Sequence, residues 1–222
     1  MCGRFTLTAS GEELAEAFGL DTAPSLAPRY NIAPSQPVLV VRPTIDGHRR
    51  ETASLAWGFG APAGASTRPL INARAETAHR RPSFRDSFRA RRCLVPASGF
   101  FEWQRSTQPR QPHYIRRRDG RPLALAGLWQ PGPPGAESGA CVILTTEPND
   151  VVAPLHDRMP VILADDDHAI WLAADGPGPA TLRRLFAPFP AVLMTAYPVS
   201  TAVNDVRNDG ASCLEPARTL FG

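Results

Sequence analysis

Along most of this chain, short apolar runs alternate with polar positions and end at glycine or proline, the period-2 pattern of half-buried strands. Thr6–Thr8, Val38–Val41, Glu51–Trp57, Cys93–Pro96, Gly99–Gln104, His113–Arg117, Leu123–Trp129, Ala140–Thr145 and Val161–Leu163 read as strands. Extended structure also resumes at Leu70, and Ala191–Val199 supplies the last strands. Asp46-Gly47 and Asp119-Gly120 are turn signals. Helical spacing is rarer. Ser10-Gly11-Glu12-Glu13 matches a capping box, with Leu14, Ala17 and Phe18 forming an apolar stripe that ends at Gly19. Ser83-Phe84-Arg85-Asp86 is a weaker box opening a helix with Phe84 and Phe88 on one side, and Asp165–Ala173 and Pro179–Phe186 also read as helical. The proline-rich run from Pro24 through Arg29-Tyr30-Asn31 to Pro37 reads as loop, as do residues 58–69. A flexible loop is expected at 130–139, and a coil tail after about 210. About ten strands and four short helices without βαβ alternation predict a single α+β domain over residues 1–222, mixed and β-rich with peripheral helices.

Composition agrees with an ordinary globular protein, at 43% hydrophobic and 20% charged residues. No apolar run approaches the roughly 18 residues of a membrane span, and no basic start leads into an apolar stretch, so neither membrane nor signal peptide is expected. The expected location is cytoplasmic, and the expected state is a monomer. Cys93, Cys141 and Cys213 sit in apolar or unremarkable surroundings and read as inert thiols. With no CxxC pair and no histidine at ligand spacing, no metal and no cofactor are expected.

Charge changes the picture further. Lysine is absent, and all 24 basic residues are arginine. Arg74 to Arg121 holds 13 of them against four acids, a local +9 in a chain of net +3. Such an excess points to a polyanion, nucleic acid first, or to a solvated basic face with no partner.

Cys2 then acquires interest. If Met1 is removed, the chain starts with an amine and a thiol on one residue. A 1,2-aminothiol condenses with an aldehyde to a Schiff base, which the thiol closes to a five-membered thiazolidine. Without lysine, that amine is the only aliphatic primary amine of the chain. The competing reading is a cysteine placed there by accident.

Polar residues also interrupt apolar segments. Asn72 and Arg74, two apart, share one face of a strand. Glu102, inside Gly99-Phe100-Phe101-Glu102-Trp103, either faces outward or is desolvated with a raised pKa suited to proton transfer. His156, before Asp157 and Arg158, either moves protons or is structural.

Together, MCGRF, RYNIAPSQ, WGF, INARAET, RRCLVPASGFFEW, AGLW, LHDRMPVIL and VSTAVNDVRN, in that order over residues 2 to about 210, resemble the SOS-response-associated peptidase (SRAP) family. Members of that family crosslink to abasic sites in single-stranded DNA. The resemblance implies one SRAP domain with a basic groove leading to Cys2 as nucleophile. It implies Asn72 positioning the N-terminus and the sugar, Glu102 shuttling protons, and His156 opening the sugar. Arg4, Arg74 and Arg158 are then expected at phosphates, and Asn31, Pro34, Trp103 and Thr145 along the DNA channel. One departure stands out. Many relatives carry a bulky wedge residue soon after the WG motif, where this chain has Gly60-Ala61-Pro62-Ala63-Gly64-Ala65-Ser66-Thr67, which puts preference for DNA junctions in doubt.

Two other activities fit the same residues. An N-terminal-nucleophile cysteine peptidase or amidohydrolase, including one that removes its own Met1, would use the Cys2 thiol activated by its own amine. A non-catalytic single-strand-binding module would use only the arginines and be indifferent to Cys2.

Overall fold

A computed structural model describes residues 2–60, 68–104, 110–133 and 139–217. The chain enters on β1 (Phe5–Leu7), runs through α1 (Gly11–Phe18), and continues with β2 (Arg29–Ile32), β3 (Pro37–Pro43) and β4 (Arg50–Trp57). Next come β5 (Asn72–Arg74), α2 (Ala75–Ala78), α3 (Arg85–Ala90), β6 (Arg92–Ala97), β7 (Gly99–Gln104), β8 (Gln111–Arg117) and β9 (Leu123–Gln130). β10 (Ala140–Thr146), β11 (Met159–Pro160), β12 (Ile162–Leu163), α4 (His168–Leu172), α5 (Pro179–Leu185) and β13 (Met194–Pro198) complete the order. The α+β, strand-dominated class expected from the pattern is the class observed.

Two sheets share the chain. One has five strands in the order β13-β8-β7-β1-β2. In the other, β4, β3, β6 and β9 follow one another, and β10 pairs with both β9 and β4, so these five strands close into a ring. Ring closure leaves little room inside. A Cβ at Gly127 would stand 2.9 Å from Cys93 Sγ, closer than real contacts allow, so this strand position takes glycine.

The step from β6 to β7 carries the chain out of the ring and into the five-stranded sheet. Ser98 makes the bend and catches the N-terminal segment there. Its amide donates to Thr6 O at 2.8 Å, and its hydroxyl accepts from Thr8 N and Ala9 N. Trp57, fully buried, packs edge-on against Phe5 at 5.1 Å and donates its indole N–H to Ile71 O at 3.0 Å. One side chain thus holds the first strand and the approach to β5 together.

The capping box at Ser10 forms as expected, with both reciprocal bonds, and Gly19 closes the helix in the left-handed conformation. Other expectations need correction. Arg29–Ile32 is a strand rather than loop, because β1 offers an edge that only tertiary pairing reveals. Ser83 caps nothing. α3 begins at Arg85 behind Phe84 without a side-chain cap bond, although Phe88 is buried as expected and Phe84 packs against the core. Residues 165–167 form a 3₁₀ turn before α4, and 191–193 form another before β13. Past 210 the chain is not plain coil, since Ala211–Leu214 is a 3₁₀ turn that buries Cys213. Of the expected loop at 130–139, residues 134–138 lie outside the described residues, as do residues 61–67 where a wedge residue would stand. No helix among the described residues is long and apolar enough to cross a membrane.

His168 supplies a test of this packing. It stacks on Phe18 at 5.5 Å with rings 6° apart and is almost completely buried. Burial, then the Arg50 guanidinium, then Arg121, pull its pKa from 6.5 down to about 4 against the opposing carboxylates of Asp165 and Asp167. The fold therefore needs the neutral ring. Above the unfolded value its stabilising effect is complete, and it is lost as pH falls from 6.5 toward about 4, by at most about 3 kcal/mol. Urea unfolding of wild type and His168→Phe at neutral pH and at pH about 4.5 should show the variant losing less stability on acidification. Equal losses would assign the acid sensitivity elsewhere.

Candidate functional site

β1 lies between β2 and β7, so the residues preceding it inherit a fixed register. Phe5 faces Phe100, and Phe101 donates its N–H to Arg4 O at 3.0 Å. Continuing that register sets Gly3 opposite Glu102. Cys2 is completely buried, and its carbonyl accepts a 2.8 Å hydrogen bond from Asn72 Nδ2. Asn72 arrives from the other sheet on β5, held in parallel register beside Ile143 of β10. Two sheets therefore meet at Cys2.

Glu102 is buried, which settles its orientation as inward. Burial first, and the Glu102 carboxylate second, push the Cys2 thiol up to about 12. Near neutrality that thiol keeps its proton. Desolvation disfavours the thiolate, and an adjacent carboxylate disfavours it further.

Arg4 is half-buried. Its Nη1 donates to Asn31 Oδ1 at 2.7 Å and to Val203 O at 2.8 Å, and its guanidinium lies 5.8 Å from the Trp103 ring centroid. Desolvation lowers its pKa. The Trp103 indole N–H donates to Asn204 Oδ1 at 2.7 Å, so the ring is braced by the C-terminal segment. Asn31, expected along a channel, is fully buried and saturated. Its Nδ2 donates to the carbonyls of Val203, Asp205 and Asn208, and its backbone N–H to Asp209 Oδ1. It builds the wall behind Arg4 rather than presenting a surface. Pro34 is half-buried in a turn completed by Ser35 at φ 69°.

Beyond Asn72, the β5–β10–β11 pairing gathers the rest. Thr145 of β10 is flanked by Arg74 on one side and Pro160 on the other. Arg158 donates from Nη1 and Nη2 to the two oxygens of Glu76, each at 2.9 Å, and from Nη2 to Thr145 O. Arg74 is exposed and makes no hydrogen bond or ion pair among the described residues. His156 Nδ1 lies 2.8 Å from Asp157 Oδ1 and 3.0 Å from the Arg158 amide. One nitrogen cannot serve both. Protonated, it pairs with Asp157; unprotonated, it accepts from the amide.

Four buried polar atoms of this group have no hydrogen-bond partner among the described residues: Arg4 Nε, Asn72 Oδ1, Thr145 Oγ1 and Arg158 Nε. Unsatisfied buried groups are scarce in proteins and each calls for a reason. Here they concentrate on residues already singled out by chemistry. Three contributors went unnoticed in the sequence: Glu76, Asn204 and Asp209. Motif membership alone marked Glu76 and Asn204, and nothing marked Asp209, since an exposed acid or asparagine carries no pattern of its own.

The +9 stretch divides in space. Arg92 is buried and spends its guanidinium on the carbonyls of Phe88, Arg89, Trp171, Ala173 and Ala174. Arg117 is paired with Asp119 and Asp165. Arg74, Arg80, Arg81, Arg85 and Arg89 remain exposed around β5, α2 and α3.

The family profile described as "SOS response associated peptidase (SRAP)" matches residues 1–206. The chain is 37% identical to the Abasic site processing protein YoqW of Bacillus subtilis, over 97% of this chain and 99% of that one. It is 33% identical to the Abasic site processing protein YedK of Escherichia coli, over 97% and 100% of the two. A crystal structure from Bordetella bronchiseptica superposes with a TM-score of 0.75 at 28% identity, covering 90% of this chain and all of the other. Another, from Bacteroides thetaiotaomicron, reaches 0.83 at 24% identity over 98% and 100%, and speaks for the fold alone.

Replacing Asn31 tests whether the wall behind Arg4 is structural. Asn31→Ala takes the amide donor from three carbonyls and one of the two acceptors from Arg4 Nη1, and should cost about 2–4 kcal/mol in urea unfolding. It should also speed hydrogen exchange through residues 203–209. A loss below about 0.5 kcal/mol would show that the network is incidental.

Proposed function

The chain belongs to the SOS-response-associated peptidase family, and from the site at its N-terminus we propose that it captures abasic sites in single-stranded DNA as a covalent, reversible thiazolidine on Cys2. The observation that carries this reading is the convergence, at one buried point, of the Cys2 backbone, the Asn72 amide and the Glu102 carboxylate. Removal of Met1 is its first condition.

The chemistry follows from the groups present. An abasic deoxyribose equilibrates with its open-chain aldehyde. A free α-amine, with an ordinary pKa of about 7.7–8.0, is partly neutral near pH 7 and attacks the aldehyde carbon. Loss of water from the carbinolamine gives the iminium. The thiol sulfur then bonds to that same carbon, the C=N π electrons return to nitrogen, and the thiol proton is passed on. One water leaves overall. A thiol that stays protonated fits this order, because it adds only after the iminium has formed beside it. Glu102 is placed to accept the sulfur's proton and return it during reversal. Asn72 Oδ1, an acceptor with no partner among the described residues, can take an N–H of the new terminus or a sugar hydroxyl. His156 is assigned to proton exchange at the sugar, its Nδ1 donating to Asp157 when it carries a proton and accepting from the Arg158 amide when it does not. Ring closure removes the iminium and with it the route to β-elimination, which protects the strand.

DNA would follow the basic rim. Arg74 presents an exposed guanidinium to phosphates, half-buried Arg4 adds its charge from behind, and Trp103 offers a face for stacking. Arg158 and Pro34 line the approach in this reading, with the fully buried Thr145 and Asn31 behind them.

Mixing the protein, with loss of Met1 established by intact mass, with an abasic single strand should give a species of the summed mass less one water. Cys2→Ala should abolish it, and Cys2→Ser should leave at most a weak adduct. A wild-type protein starting at Cys2 that forms no adduct refutes the proposal.

A further inference from the structure

Resting on that reading, we infer that Glu76 occupies the phosphate seat of Arg158 in the DNA-free protein, and that its displacement sets the preference for abasic over intact strands. Carboxylate and phosphate present the same planar pair of acceptors to a guanidinium fork. Glu76 fills that fork with two bonds of 2.9 Å. Burial is the largest influence on Glu76 and works to raise its pKa, but the Arg158 hydrogen bond, a backbone hydrogen bond and the charges of Arg158 and Arg74 together outweigh it and hold the carboxyl below its ordinary value, so the seat is filled by a charged group at neutral pH.

The two partners are unequal in mobility. The Arg158 side chain is 15% exposed, and its Nη2 is tied to Thr145 O. Glu76 is 46% exposed in the first turn of the four-residue α2, so a rotamer change is enough to release it. Arg158 therefore keeps its aim while Glu76 leaves. Arg74, opposite Thr145 in the β5–β10 register, lies beside the same seat and exerts its charge on Glu76. With Glu76 in place the group carries one net positive charge, and with Glu76 swung away it carries two.

An intact strand in passing contact must pay for that displacement out of its own weak binding. A strand held at Cys2 presents its phosphate at high effective concentration and displaces Glu76 readily. Glu76 is thus a specificity-determining residue that touches no reacting atom.

Binding of an undamaged oligothymidylate, measured by fluorescence anisotropy across a salt series, reads this directly. Glu76→Gln should tighten binding roughly two- to fivefold at fixed salt, the range of a partly exposed ion pair. It should also steepen the slope of log K against log salt by about 0.7, the contribution of one further phosphate contact on a single strand. In an Arg158→Gln background the same change should gain much less. Equal gains in both backgrounds would mean that Glu76 acts as a diffuse charge, and weaker binding by Glu76→Gln would mean that it braces Arg158; either overturns the inference. Adduct formation by wild type on an abasic strand is scored separately. Its absence defeats the proposed function, while the salt slopes decide the role of Glu76.

Discussion

Everything at this site depends on the segment ahead of β1 being held inside the protein. Termini ordinarily fray, because a terminal residue has neighbours on one side only. Here β1 is paired along both edges, Phe5 is wedged against Trp57, and Cys2 is completely buried. The register of three residues, Phe5 to Leu7, fixes where Arg4 and Cys2 lie. A one-residue slip would turn Phe5 away from Trp57 and move Cys2 off the Asn72 amide. Burial of Phe5 and closure of the site are therefore one energetic event.

That event leaves a cost at the same place. Arg4 Nε, Asn72 Oδ1, Thr145 Oγ1 and Arg158 Nε are buried without partners among the described residues, and each such group costs about 1–3 kcal/mol. The packing of two sheets around Trp57 offsets it. The result is a polar surface whose hydrogen bonds are reserved for something other than the protein itself. Its electrostatics are also mixed. Arg4 and Arg158 are partly buried, the Glu102 carboxylate is buried, and burial together with that carboxylate pushes the Cys2 thiol up to about 12. Such an arrangement is poor for a thiolate nucleophile and well suited to an amine that acts first.

The sequence carried much of this, unevenly. Local chemistry was legible where its partners are local. Ser10 and Glu13 cap a helix that Gly19 ends, and the strands with clear alternation stand close to where the pattern put them. Legibility failed where the partner is distant. Arg29–Ile32 looks like a spacer between prolines, and only the edge of β1 makes it a strand. Ser83 has the spacing of a cap, yet tertiary packing of Phe84 and Phe88 starts the helix two residues later. Among the site residues, Cys2, Asn72 and Glu102 were marked by unusual chemistry in apolar surroundings. Asn31 was named only by the family resemblance, and it is taken up by the carbonyls of residues 203, 205 and 208, more than 170 positions away. Glu76 carried no mark, because its meaning lies wholly in facing Arg158. The basic stretch likewise mixed two kinds of arginine, and only folding separates buried Arg92 from exposed Arg74.

The central claim is that amine and thiol of one residue close together on one carbon of the DNA sugar. Proteolysis of the adduct, followed by labelling with an amine-selective and a thiol-selective reagent and tandem mass spectrometry, interrogates both bonds at once. The account predicts an N-terminal peptide from Cys2 that carries the sugar remnant and resists both reagents. A remnant-bearing peptide with a free thiol would show a Schiff base that never closes. One with a free amine would show attack by sulfur alone, and either result would contradict the account.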